Sequence, residues 1–128
     1  MILLGKDGLD EMSNVGETEI IEFSESGIKE YTTSPDDFGI NTVQISEINI
    51  ENRETGICDF LRIIYGKEKG PKRDLVCINA AAAFYVMGEV SSFKEGTKLA
   101  ASLIDNGKAA SKLEDYVRCC GDMDKLNR

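Results

Sequence analysis

The sequence contains no histidine, and this absence narrows the chemistry that the chain can perform. Histidine is the usual general base near neutral pH and a common zinc ligand, so the chain must do without both. The cysteines show no Cys-x-x-Cys spacing and no zinc pattern; they are Cys58, Cys77, Cys119 and Cys120. We interpret them as reduced thiols and expect a cytoplasmic protein, with Cys77 in the core.

Basic residues are scarce. The chain has 15 Lys and Arg against 23 Asp and Glu, a formal net charge of -8. Such a surface repels phosphates, which argues against non-specific binding of nucleic acid. A pyrophosphate substrate is compatible with this charge if a divalent cation bridges it to protein carboxylates.

Long apolar runs are also missing. The stretch from Leu75 to Met87 is too short to span a bilayer and is better explained as a buried helix. The first residues lack the charged region and the length of a signal peptide. We therefore expect no membrane partner, and 41% hydrophobic with 30% charged residues is typical of a globular domain or a piece of one.

The first half of the chain predicts strands. Met1 to Leu4 is a continuous apolar run that suits a strand with neighbours, which suggests that the natural fold begins before residue 1. Leu9 to Ser13 is predicted as a single helical turn. Thr18 to Ser24 and Ile28 to Thr33 are β-rich and flank a glycine-containing connection, which predicts a β-hairpin. Val43 to Ile50 stays ambiguous between strand and loop.

From Arg53 onward the pattern predicts helices. The first carries one apolar stripe and ends at Gly66; its members are Ile57, Phe60, Leu61 and Ile64. Asp74 to Met87 is predicted as a helix buried on most sides, with alanines at 80–83 that allow close approach of a neighbouring backbone. Ser92 and Glu95 match a capping box at the start of the third helix. Asn106-Gly107 ends it, a fourth helix follows, and residues 122–128 are expected to fray. Strands followed by helices indicate an α/β or α+β piece.

The sharpest local feature is the adjacent pair Asp10 and Glu11, which follows a glycine turn. Two carboxylates here offer oxygen ligands to Mg²⁺, which takes one or two protein carboxylates, keeps several waters and binds substrate phosphates. The alternative is structural, because acidic residues in a first helical turn complement the helix dipole. The residues alone leave both interpretations open.

Other polar residues have mainly structural interpretations. A basic loop is usually solvated, although its members could touch phosphate; they are Lys67, Lys69, Lys72 and Arg73. Asn79 could line a pocket, but in a buried helix it more often satisfies a nearby backbone group. Ser91 and Ser92 are interpreted as helix caps.

Several segments, in order, resemble motifs of anthranilate phosphoribosyltransferases. The residues from Gly5 to Glu11 look like the family's glycine-rich loop with Asp-Glu. The later matches are Pro35-Asp36-Asp37-Phe38-Gly39, Gly70-Pro71-Lys72-Arg73-Asp74, Asn79-Ala80-Ala81-Ala82-Ala83 and Ile104-Asp105-Asn106-Gly107-Lys108-Ala109. Each motif is weak singly, but the ordered set covers nearly the whole chain.

The resemblance implies the C-terminal portion of the α/β domain shared by nucleoside phosphorylases and these phosphoribosyltransferases. It implies a hairpin and strands first, then about four helices, in a single partial domain over residues 1–128. It implies transfer of phosphoribosyl from phosphoribosyl pyrophosphate to anthranilate, a step of tryptophan biosynthesis. By motif, Asp10 and Glu11 would be ligands of a Mg²⁺ that contacts phosphoribosyl pyrophosphate. No catalytic residue and no substrate-binding residue is assigned.

The departures from the family pattern are equally informative. The Gly-Thr-Gly-Gly-Asp loop that grips pyrophosphate in the family is nowhere in this sequence. Leu4 stands where the family often has a histidine, and its glycine-rich loop after the Pro-Glu-Asp-Phe-Gly turn is not recognisable. We therefore expect the isolated chain to be inactive and to need an N-terminal part or a partner chain that carries it. The alternatives are a relative of pyrimidine nucleoside phosphorylases and a non-catalytic truncated paralogue that acts as a binding module.

Overall fold

The first quarter of the chain forms a three-stranded antiparallel sheet in the order β1–β2–β3. The computed structural model describes residues 1–126. The strands are β1 (Ile2–Gly5), β2 (Thr18–Ser24) and β3 (Gly27–Thr33). β2 and β3 form the predicted hairpin, which closes where Ser24 pairs with Gly27. Gly27 has a φ of 120°, a backbone conformation that favours glycine.

The segments around the hairpin differ in part from expectation. The predicted helical turn at Leu9 to Ser13 is wrong, since this stretch is a bend without helical structure. The predicted turn after the hairpin is a short 3-10 helix, Pro35–Phe38. A second short 3-10 helix, Ile45–Glu47, replaces the ambiguous segment. Both 3-10 helices begin with a local cap, since Asp37 Oδ2 accepts from Ser34 N–H at 2.8 Å and Glu47 Oε2 accepts from Gln44 N–H at 2.8 Å.

Helices make up the rest of the chain. They are α1 (Arg53–Ile64), α2 (Pro71–Val86), α3 (Phe93–Asp105), α4 (Lys108–Cys120) and α5 (Met123–Leu126). Strands followed by helices confirm the predicted fold class. Part of the segment expected to fray is helical in α5, and residues 127 and 128 lie outside the described residues. No helix within 1–126 has the length and apolar character to cross a membrane.

The helix ends confirm most of the predicted capping. Ser92 Oγ accepts a hydrogen bond from the Glu95 backbone N–H at 3.2 Å, as the capping box requires. The glutamate returns to the preceding residue instead, since Glu95 Oε2 accepts from the N–H of Ser91 at 3.0 Å. The Ser91 hydroxyl donates to the same oxygen at 2.9 Å. The two hydrogen bonds from Ser91 lower the pKa of Glu95 below its ordinary value. The start of α3 is therefore capped through both Ser91 and Ser92.

The main core lies between the sheet and helices α2 and α3. Its buried members are Met12, Ile20, Phe38, Ile78, Ala82 and Phe93. The rings of Phe38 and Phe93 stack with centroids 5.0 Å apart, which joins the 3-10 turn to α3. A second cluster beneath α1 contains Cys77, where burial raises the pKa of the thiol to about 11 against the opposing charge of Arg73. The expected core location of Cys77 is confirmed.

Helices α2 and α3 meet through small residues. Ala81 is fully buried, and a Cβ added at Gly96 would lie 2.8 Å from both Cα and Cβ of Ala81. The backbones therefore touch where neither has a bulky side chain, as the alanine run predicted. The expectation that α2 is buried on most sides is confirmed, since Val76, Ala83 and Val86 are the only exposed residues of this helix. One face of α2 packs on α3, and other residues of the helix pack in the sheet core and in the cluster with α1, which leaves only a narrow exposed strip.

Ala81→Leu is expected to destabilise the chain by roughly 1–3 kcal/mol, because three extra carbons must displace Gly96 or shift α3. Ala83→Leu is the matched control, since Ala83 lies in the same alanine run but is exposed. Its effect should stay within about 0.5 kcal/mol. The measurement is the free energy of unfolding of both variants in urea. Equal stability of the two variants would contradict the close packing of α2 on α3.

Candidate functional site

The candidate site is the loop between β1 and β2, residues 6–17. Its two ends are tied together where Lys6 N–H donates to Glu17 O at 2.8 Å. Gly8 N–H donates to Gly5 O at 3.0 Å, and Gly8 has a φ of 98°, so a glycine is required at this turn. Gly5 N–H then donates to Leu9 O at 2.8 Å. The glycine-rich sequence thereby folds back on itself immediately before Asp10.

Asp7 holds the loop from the side of the turn. Its Oδ1 accepts from the Leu9 backbone N–H at 3.1 Å, and its Oδ2 accepts from the hydroxyl of Ser13. Ser13 Oγ in turn accepts from Val15 N–H at 2.9 Å and from Gly16 N–H at 3.2 Å. One carboxylate therefore connects the two halves of the loop. Asp7 is not among the site residues predicted from the sequence, although the tight turn beside it is a signal for such a side-chain hydrogen bond.

Asn79 on α2 holds the same loop from the side of the core. Met12 N–H donates to Asn79 Oδ1 at 3.0 Å, and Asn79 Nδ2 donates to Met12 O at 3.1 Å. The same Nδ2 donates to Leu75 O at 3.0 Å. The interpretation that Asn79 satisfies backbone groups agrees with these contacts. One of these backbone groups, at Leu75, is in its own helix, but the others belong to Met12, which is 67 residues away.

Asp10 and Glu11 lie between the two residues whose backbone is held by these side chains, Leu9 by Asp7 and Met12 by Asn79. Neither carboxylate has an ion pair or a side-chain hydrogen bond with another residue in the range 1–126. Asp10 is exposed and Glu11 is half-buried. Burial raises the pKa of Glu11 above its ordinary value, and the charge of Asp10 raises it further. Burial and the neighbouring charge of Asp10 therefore both disfavour the ionised form of Glu11. A bound cation would favour that ionised form.

The donor chemistry of this pair fits a magnesium ion. Mg²⁺ prefers oxygen ligands and uses one or two protein carboxylates, with water or substrate phosphate for the rest. Within residues 1–126, no group of three or more His, Cys, Asp or Glu side chains is placed to hold a metal ion. A two-carboxylate site that is shared with a phosphorylated ligand matches what the loop offers.

The basic residues near the start of α2 have structural partners. Arg73 is buried, donates to Ala101 O at 3.1 Å and forms an ion pair with Asp105 at 3.0 Å. Lys69 joins the same carboxylate at 2.8 Å, and Lys72 pairs with Asp59. The hydrogen bond from Lys69 is the main cause that lowers the pKa of Asp105 below its ordinary value, and Arg73 lowers it further. The expectation of a simply solvated loop is thus wrong for Arg73, which fastens α2 to α3.

The chain matches a family model described as "Glycosyl transferase family, a/b domain" over residues 1–110. An anthranilate phosphoribosyltransferase from Acetivibrio thermocellus is 38% identical over 117 residues, which is 91% of this chain and 34% of that protein. One from Petrotoga mobilis is 39% identical over 117 residues, with the same shares covered. The chain therefore spans about a third of the length of these relatives.

Solved structures show the same fold. The crystal structure of anthranilate phosphoribosyltransferase from Thermus thermophilus has a TM-score of 0.80 at 32% identity, covering 91% of this chain and 34% of that one. The enzyme from Saccharomyces cerevisiae in complex with PRPP and Mg has a TM-score of 0.80 at 24% identity, with the same shares covered. The first likeness agrees with the sequence relatives, and the second bears on the fold alone.

Proposed function

Because this chain belongs to the glycosyl transferase family, as its a/b domain, we propose that it is the C-terminal part of an anthranilate phosphoribosyltransferase. The reaction joins the amine of anthranilate to the anomeric carbon of phosphoribosyl pyrophosphate and releases pyrophosphate. The observation that carries the proposal is the match at 38% identity to an enzyme of that name, over 91% of the chain. The carboxylate pair Asp10 and Glu11 lies within residues 1–110, which match the family model.

Asp10 and Glu11 are the residues that would hold Mg²⁺. When bound, the ion supplies charge neutralisation for the pyrophosphate that leaves the ribose. Asp10 and Glu11 would contribute anionic oxygen ligands from one loop, and the hydrogen bonds that Asp7 makes to Leu9 and Asn79 makes to Met12 keep that loop in one conformation. Such fixed geometry supports catalysis, because ligands that are already placed need no reorganisation during the reaction.

The outer face of the sheet supports the proposal that another part of the enzyme covers this part of the fold. Its outer face exposes large apolar side chains: Ile2 is 59% exposed, Leu4 53%, Phe23 53% and Ile28 67%. Within residues 1–126, β1 pairs with β2 along one edge only. We propose that the remaining two thirds of the enzyme, in the same chain or in a partner chain, covers this face and extends the sheet at β1. A cytoplasmic location accompanies this proposal.

A chimera tests the function. In it, residues 1–110 of this chain replace the matching segment of the Acetivibrio thermocellus enzyme. With phosphoribosyl pyrophosphate and Mg²⁺ in excess, the loss of anthranilate fluorescence measures turnover. The chimera is expected to turn over within about tenfold of the parent, which corresponds to about 1.4 kcal/mol of transition-state stabilisation.

The control is the parent enzyme with the same segment deleted, which should show no turnover. Circular dichroism and a cooperative melting transition establish that the chimera is folded. A folded chimera whose turnover does not exceed that of the deleted parent contradicts the proposed function.

A further inference from the structure

Asn79 makes an unusual contact with the loop that carries Asp10 and Glu11. Its side-chain amide accepts from the N–H of Met12 and donates to the C=O of the same residue, at 3.0 and 3.1 Å. This pair of hydrogen bonds requires an acceptor and a donor on one short side chain, and asparagine has both. Alanine, serine and leucine cannot reproduce it at that position. The peptide groups on both sides of Met12 are thus fixed by one residue of α2.

The side chain of Met12 adds a second restraint at the same residue. It is fully buried and belongs to the core cluster with Ile20, Phe38 and Ile78. The peptide that joins Glu11 to Met12 supplies the N–H that Asn79 accepts. Rotation of that peptide would turn the Glu11 side chain, and both the core and the amide oppose such rotation. The Asp7 anchor at Leu9 restrains the other side of the carboxylate pair.

We propose that Asn79 is a positioning residue that orients Glu11, and with it Asp10, toward a shared divalent cation. The inference rests on the proposed function, because that function is the reason to assign a cation to the pair. Adjacent carboxylates repel, so an unrestrained loop would turn them apart and an ion would have to gather them again. The two hydrogen bonds between Asn79 and Met12 hold the loop, and with it both carboxylates, in one conformation before the ion binds. Partners behind metal ligands typically change metal affinity by about 10–100-fold when they are removed.

The variants separate positioning from folding. Asn79→Ser leaves a hydroxyl that can donate to Leu75 O within α2, as Thr97 donates to Phe93 O four residues earlier in α3 at 3.0 Å. It removes both bonds to Met12. Asn79→Ala removes all three bonds and is the stronger but less stable variant. Asn52→Ala is the matched control, because Asn52 caps α1 by accepting from Thr55 N–H at 2.9 Å and makes no hydrogen bond to the described residues of the loop.

The probe is Mn²⁺ added to the uniformly ¹⁵N-labelled 128-residue chain. Paramagnetic broadening of backbone amide signals detects weak sites and also locates them. In the wild-type chain, we expect the signals of Gly8 and residues 10–12 to broaden first. In Asn79→Ser, the Mn²⁺ concentration that halves these signals should rise about tenfold. Asn52→Ala should keep the wild-type value even though it loses a helix cap.

Each outcome decides a separate point. An unchanged Mn²⁺ midpoint in Asn79→Ser, with the chain folded, overturns the positioning role and leaves the proposed function intact. An equal rise in Asn79→Ser and Asn52→Ala also overturns it, because general loss of stability then explains both. Broadening in the wild-type chain that avoids residues 8–12 contradicts the cation pair itself, and the positioning role falls with it. A selective rise in Asn79→Ser supports the inference.

Discussion

The chimera that carries Asp10→Asn together with Glu11→Gln is expected to lose on the order of 100-fold or more in its rate of phosphoribosyl transfer. Charge neutralisation by a bound metal is worth several kcal/mol, and each 1.36 kcal/mol is a factor of ten in rate. The replacements are nearly isosteric, and neither carboxylate has a hydrogen-bond partner among residues 1–126. The fold should therefore survive. The measurement is anthranilate turnover at saturating phosphoribosyl pyrophosphate.

The control for this double variant is Glu25→Gln with Asp36→Asn. It makes the same two chemical changes and the same charge change, at exposed positions in the hairpin turn and the first 3-10 helix. Its rate should equal that of the unmodified chimera. A similar loss in both double variants would show that net charge, rather than the loop carboxylates, controls the rate.

The isolated chain is expected to show no turnover of anthranilate and phosphoribosyl pyrophosphate above background. Its sequence contains no Gly-Thr-Gly-Gly-Asp loop to grip pyrophosphate, and its outer sheet face is uncovered. Positioning of two substrates supplies about 7–11 kcal/mol of a bimolecular barrier, so the loss of most substrate contacts is far more costly than a single substitution. The test compares the purified chain with the chimera at equal concentration. Measurable turnover by the chain alone would contradict the proposal that the site is shared with the rest of the enzyme.

The regular elements could be predicted from the sequence because their signals are local. The hairpin follows from β-rich runs around Gly27, and the start of α3 follows from Ser92 and Glu95. In both cases the residues that decide the structure are within a few positions of one another. The alanine run predicted that a neighbouring backbone approaches α2 closely, but not that the neighbour is Gly96 of α3.

The loop and the basic residues could not be predicted in the same way. The residues around Asp10 look like a helix start, but bonds from Asp7 and from the distant Asn79 hold them in a bend. Arg73 looks like part of a solvated loop, yet Asp105 and a carbonyl of α3 take its guanidinium into the interior. Long-range partners decide both conformations, and a single sequence does not show which residues those partners are.

The Mg²⁺ dependence of the chimera's rate shows whether Asp10 and Glu11 hold the cation used in phosphoribosyl transfer. The measurement is the initial rate at saturating anthranilate and phosphoribosyl pyrophosphate while the Mg²⁺ concentration is varied. For Asp10→Asn with Glu11→Gln, the account predicts a lower maximal rate and a Mg²⁺ midpoint that is higher by about tenfold or more. An unchanged rate with an unchanged midpoint would contradict it and would leave the two carboxylates as ordinary acidic residues of a surface loop.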